Sequence, residues 1–153
     1  MIIETSSLGN IEITVEQIYR FENGIPGFEE ENEFALLPVE GSPFFHLQSL
    51  KEKHLSFLLA DPFVFFPEYE FELGDSDSEE LELQTGVQVR CIVTLRDDIE
   101  KSTMNILAPL VLNPVKRKGR QIVLHNSAYA TKHPLFASEA AGQSPSDSIE
   151  GGA

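Results

Sequence analysis

Residues 86–96, GVQVRCIVTLR, alternate apolar and polar side chains with a period of two, the signature of an extended strand rather than of a helix. Val87, Val89, Cys91, Val93 and Leu95 share one face; Gln88, Arg90, Thr94 and Arg96 share the other, with Ile92 among them. The pattern turns Cys91 inward. A shorter alternation, Ile11, Ile13 and Val15 against Glu12, Thr14 and Glu16, predicts a second, half-buried strand. Further strands are predicted at 34–39, 44–50, 55–61, 102–113 and 120–126, because β-branched and aromatic runs there are bounded by turn chemistry. Asn23-Gly24, Pro26-Gly27, Gly41-Ser42-Pro43, Asp61-Pro62, Asn113-Pro114 and Lys118-Gly119 supply backbone angles that a continuing ladder cannot take up. One or two short helices interrupt the strands. In GDSDSEELELQ, Asp75 or Asp77 is the expected N-cap, followed by acids where the helix dipole favours them. Many strands without βαβ alternation predict a mainly β chain, an antiparallel barrel or sandwich.

The chain has 153 residues, enough for one domain with its own core. Residues 138–153, SEAAGQSPSDSIEGGA, hold a single large apolar residue, Ile149, and cannot bury enough surface to offset their ordering entropy. The expected organisation is a folded domain over 1–137 and a flexible tail over 138–153. The N-terminus has no basic segment followed by a long apolar run, and the longest apolar stretches, such as 63–66, are too short to span a bilayer. A soluble, cytoplasmic monomer that does not engage membranes is the expectation.

Charge is unevenly distributed. Residues 1–100 carry 22 acids and 5 bases, a formal −17; residues 101–138 carry 6 bases and no acid; the tail adds −3. Acids are densest in EYEFELGDSDSEELE, 68–82, and bases in KRKGR, 116–120. A net charge of −14 opposes direct binding to nucleic acid. The bipolar distribution suits charged protein partners, although each block is also what a solvated face looks like.

Catalytic and metal-binding patterns are absent from the sequence. His46, His54, His125 and His133 lie at spacings that match no local ligand motif, and no Walker loop, G-x-G-x-x-G or G-x-S-x-G element occurs. The lone Cys91 excludes an internal disulfide and a thiolate cluster. GDSDSEELE lacks the central glycine and terminal glutamate spacing of an EF-hand loop. The glycines of GIPGF read as a tight turn that pins Ile25 and Phe28. No enzyme activity, cofactor or metal is expected. Phe63, Phe65, Phe66, Tyr69 and Phe71 run into the acidic block. Such rings are usually core, but beside carboxylates they also suit a groove for an amphipathic helix.

Several stretches together resemble the flagellar assembly factor FliW family: FENGIPGFEE (21–30), FFHLQSL (44–50), the Asp61-Pro62 turn leading to Tyr69, NILAPLVLNPVKRKGRQIVL (105–124) and YATKHPL (129–135). They run in order through the chain to about residue 136. The resemblance implies a small antiparallel β-barrel-like domain that is not an enzyme and binds two cytoplasmic partners. One is flagellin awaiting export; the other is the carbon storage regulator CsrA, a translational repressor that the free protein antagonises non-competitively. On that reading Glu68, Glu70, Glu72 and Asp75 are candidates for the CsrA contact. Phe63, Phe65, Phe66, Lys116 and Arg117, with Lys118 and Arg120 beside them, are candidates for flagellin. Two other readings stay open: a small-ligand or flavin-binding split barrel, and a chaperone for flagellin alone.

Overall fold

The computed structural model describes residues 1–83, 86–124 and 128–136. The tail predicted for 138–153, the domain boundary at 137, His125 and the end of the strand predicted for 120–126 lie outside the described residues. A hairpin, β1 (Ile2–Thr5) and β2 (Gly9–Glu12), precedes the main sheet. That sheet contains β3 (Ile18–Arg20), β4 (Glu33–Pro38), β5 (Phe44–Ser49), β6 (Ser56–Ala60), β7 (Gln88–Thr94), β8 (Thr103–Met104), β9 (Leu110–Asn113), β10 (Lys118–Gln121) and β11 (His133–Pro134). Two short helices, α1 (Pro62–Phe65) and α2 (Asp75–Glu80), lie between β6 and β7.

The sheet closes on itself. Running β7-β6-β5-β4-β3-β10-β9, it returns to β7 through the pairs Gln88↔Leu112, Val89↔Val111 and Arg90↔Leu110, which makes a seven-stranded barrel with β8 and β11 as an extension. All its ladders are antiparallel except one. β10 meets β3 in parallel through the single pair Lys118↔Arg20. The seam is short because the chain leaves β3 at once: the Asn32 side-chain amide donates to the carbonyls of Phe21 and Glu22, and Phe21 N–H donates to Asn32 O.

Tyr19, Phe21, Phe34, Leu36, Leu47, Leu59, Leu110 and Leu112 form one buried cluster, with Phe45, Phe57 and Ile92 packed against it. The cluster fills the barrel. Burying each large apolar side chain contributes about 1.5–3 kcal/mol. Gly119 carries no side chain because a Cβ there would lie 2.5 Å from the Phe21 ring and 2.9 Å from Leu112. Three further clusters pack on the outside: the N-terminal hairpin around Ile3 and Ile13, the extensive α1 side around Tyr69 and Cys91, and the α2 side around Leu81, Val111 and Ile122.

Four local expectations are corrected. β2 ends at Glu12, so no single strand runs through Val15, which is 59% exposed; Ile13 stays buried. The chain turns because Thr14 N–H donates to Gln17 Oε1 and Gln17 N–H to Thr14 O, closing a 3-10 turn over Val15–Gln17. The strand predicted for 102–113 is two strands, since Asn105 Oδ1 accepts from Leu107 N–H and Ala108 N–H and bends the chain between β8 and β9. The N-cap of α2 is Gly74, with Asp75 the first helical residue and Asp77 in the same turn.

The faces of β7 are the fourth correction. Val89, Cys91 and Val93 are buried, as expected, but Val87 and Leu95 are 40% and 55% exposed. The opposite face points into the barrel: Ile92 joins the interior cluster, and the Arg90 guanidinium lies 4.4 Å over the Phe45 ring. β7 is therefore covered on both sides, by the barrel interior on one and by the α1 cluster on the other.

The GIPGF turn forms largely as predicted. Gly24 has φ +67° and sits so close to Glu29 that a Cβ would lie 2.5 Å from its Cα, while Ile25 bridges to Phe28 and is buried. Phe28 is only partly covered, its ring edge-on to Phe57 at 5.5 Å.

Candidate protein-docking surface

α1 starts where Asp61 Oδ1 accepts from Phe63 N–H and Pro62 takes the first helical position, where its missing N–H costs nothing. After it, Tyr69 plunges inward and donates its hydroxyl to Ile106 O at 2.6 Å. Burial pushes the Tyr69 hydroxyl well above its ordinary value and the adjacent Cys91 thiol up to about 12. Both groups stay protonated at neutral pH, and Cys91 acts as a small buried apolar residue. The three candidate phenylalanines divide. Phe66 stacks on His133 at 4.9 Å and meets Tyr129 edge-on at 5.9 Å. Phe65 packs on Phe44 and Phe136. Phe63 touches Tyr69 at 5.7 Å but remains 42% exposed, beside the exposed Val64.

Residues 68–73 continue as a ridge whose burial alternates with a period of two. Tyr69, Phe71 and Leu73 face the protein, and Glu68, Glu70 and Glu72 face solvent. Tyr129 pins the ridge: its hydroxyl accepts from Glu70 N–H at 3.1 Å and donates to Glu70 O at 3.0 Å. Glu68, Glu70, Glu72 and Asp75 are all exposed, and among the described residues none of the four forms an ion pair.

The basic hairpin is organised differently. Asn113 Oδ1 accepts from Val115 N–H and Lys116 N–H to close the β9–β10 turn, and the Asn113 side-chain amide donates to Leu81 O and Glu82 O. That bond docks the acidic segment on the hairpin. Lys116 pairs with Glu82 at 3.8 Å, Lys118 with Glu82 at 2.5 Å and with Glu22 at 3.5 Å, and Arg120 with Asp77 at 2.8 Å and also with Glu80. Lys118 holds the Glu82 carboxyl below its usual range. Arg117, at φ +56°, makes no ion pair among the described residues. The sequence reading missed Glu22, Asp77, Glu80 and Glu82 as partners of the hairpin. No local spacing signals these pairs, because the two blocks lie far apart in the chain.

Position on the fold is also informative for the histidines. His133 stacks on Phe66 in β11, and burial lowers its pKa from the ordinary 6.5. Among the described residues, no three His, Cys, Asp or Glu side chains converge as metal ligands would, and no helix is long and apolar enough to cross a membrane.

Fold and surface together define a small closed β-barrel that carries its distinctive chemistry on its outer faces. The family model described as FliW protein matches residues 2–135, and the chain belongs to the FliW family. It is 46% identical to the flagellar assembly factor FliW of Bacillus subtilis, over 88% of this chain and 96% of that protein. It is 51% identical to the FliW of Desulfitobacterium hafniense, over 89% and 91%. A crystal structure of the flagellar assembly factor FliW superposes with a TM-score of 0.83 at 42% identity, covering 91% of this chain and 99% of that one.

Proposed function

We propose that the chain acts in the cytoplasm as a monomeric flagellar assembly factor that holds flagellin and, when free of it, binds CsrA and relieves its repression of flagellin synthesis. Membership of the FliW family over nearly the whole described fold carries this reading. The relatives are named as assembly factors rather than enzymes. The exposed ridge Glu68, Glu70, Glu72 with Asp75 supports the CsrA side. A line of carboxylates that forms no ion pair among the described residues attracts a basic RNA-binding protein and repels phosphates within about 8 Å at physiological salt, so RNA is excluded without being mimicked. Flagellin, whose terminal segments form amphipathic helices, needs apolar contact. Phe63 offers the most exposed ring for it, Phe65 and Phe66 the covered margin behind, and Lys116 and Arg117 a separate basic contact.

Titration of purified CsrA and of purified flagellin, singly and together, tests the cycle. Each binds alone and flagellin displaces CsrA; simultaneous binding of both, or no binding of CsrA, overturns it. Reversing Glu70 and Glu72 to Lys weakens CsrA binding, and unchanged affinity at low salt removes the ridge from the mechanism. Phe63→Ala weakens flagellin binding more than it lowers the melting temperature, since the residue is 42% exposed and its ring contact is with Tyr69.

A further inference from the structure

The barrel seam between β3 and β10 contains an incomplete ladder. Ile122 N–H donates to Pro109 O, so residues 118, 120 and 122 direct their backbone groups toward β9 and its extension. Gly119 and Gln121 therefore direct theirs to the other side, the side on which Arg117 O accepts from Arg20 N–H. β3 ends at Arg20, and after the pair Lys118↔Arg20 no strand among the described residues flanks that side of β10. The N–H of Gln121 and the carbonyls of Gly119 and Gln121 face a gap instead of a neighbour.

The gap is a shaped cleft. It has a volume of about 210 Å³ and lies between β10, the turn carrying Gly24, Pro26 and Glu29, and the end of α2 at Glu80 and Leu81. Both walls are fixed. Asn32 holds Phe21 and Glu22 away from β10, and Leu81 is anchored in the outer core while Asn113 binds its carbonyl. The cations on the floor are already engaged, Arg20 with Glu33, Lys118 with Glu22 and Glu82, and Arg120 with Asp77 and Glu80. On the turn side, Glu29 accepts from Gly27 N–H and forms no ion pair among the described residues, and Glu22 meets Lys118 at 3.5 Å while staying mostly exposed.

We infer that this cleft accepts an extended segment of a partner protein, which adds to β10 as a short strand and sets a lysine or arginine against Glu22 and Glu29. Main-chain bonds to Gly119 and Gln121 supply the pairing, as in other cases of strand addition, and the two carboxylates supply the charge preference. The small volume suits two or three residues of main chain rather than a drug-sized ligand. The inference goes beyond the proposed function and does not depend on which proteins the chain binds.

The test uses the full-length chain, labelled with nitrogen-15, and a capped octapeptide of alternating valine and threonine with one central lysine. On titration the Gln121 amide shifts and its hydrogen exchange slows. N-methylation of alternate peptide amides weakens binding about tenfold, the loss of one or two hydrogen bonds. Glu29→Gln keeps an acceptor for Gly27 N–H and weakens binding about two- to fivefold, the range of an exposed ion pair. Peptide binding with an unmoved Gln121 amide, equal binding of the N-methylated peptide, equal binding of a peptide with glutamate in place of lysine, or no spectral change at millimolar peptide would each overturn the inference.

Discussion

Two charged faces of the same barrel are built from similar residues and behave in opposite ways. On the α2 face, Asp77, Glu80 and Glu82 meet Lys116, Lys118 and Arg120, and opposite charges are consumed within the molecule. On the α1 face, Glu68, Glu70 and Glu72 stand on a ridge whose inward side is aromatic and whose outward side meets no cation among the described residues. The acidic block that looks continuous in sequence is thus divided at α2 into a self-neutralised half and a free half. Of the two halves of this acidic block, the ridge is the one whose carboxylates meet no internal cation among the described residues.

The largest effect expected on this comparison comes from the apolar anchor of the neutralised face. Leu81→Ala costs about 2–5 kcal/mol in denaturant unfolding. A smaller cost would mean that the ion pairs, rather than Leu81, hold the acidic segment down. On the other face, Tyr69→Phe leaves Ile106 O without its buried donor and costs about 1–3 kcal/mol. An unchanged melting temperature would show that the ridge is held by Tyr129 alone.

A pH effect separates the faces further. Burial lowers the pKa of His133, so the unfolded chain binds its proton more readily than the folded one. The stabilisation is present above the ordinary value of 6.5 and is lost as pH falls from there through the lowered folded value. Unfolding midpoints therefore decline as pH drops from neutrality to about 5.5. His133→Phe keeps a ring against Phe66 and flattens this decline; an identical slope in the variant would place the effect elsewhere. The smallest change is predicted for the ion pairs themselves. Asp77→Asn costs less than about 1 kcal/mol, and the difference disappears in about 1 M salt, where screening acts over roughly 3 Å.

Much of the fold was legible. The alternation in 86–96 located β7, and the glycines of GIPGF marked a turn whose backbone only glycine takes up comfortably. Periodicity states which residues share a face but not which face looks into a barrel, so Arg90 and Ile92 were read as the outer side of a strand that has no bare side. The bend at Asn105 escaped for a different reason: a side-chain carbonyl capturing two backbone N–H groups has the same composition as an asparagine that does not. At the candidate surface, the exposure of Glu68, Glu70 and Glu72 could be read from their alternation with Tyr69, Phe71 and Leu73. The pairing of the KRKGR hairpin could not, because its partners arrive through barrel closure and not through neighbouring positions.

That closure also sets an order of events in time. β3 through β6 form a meander whose neighbours are close in sequence, whereas the pair Lys118↔Arg20 joins positions about 100 residues apart. Contacts of such long range are made late, since their loop entropy must be met first. During synthesis the acids of α2 emerge well before the cations of β10. A nascent chain therefore holds the acids of α2 without their cations until the last barrel strand leaves the ribosome, and only then does the surface acquire the division that distinguishes one face from the other.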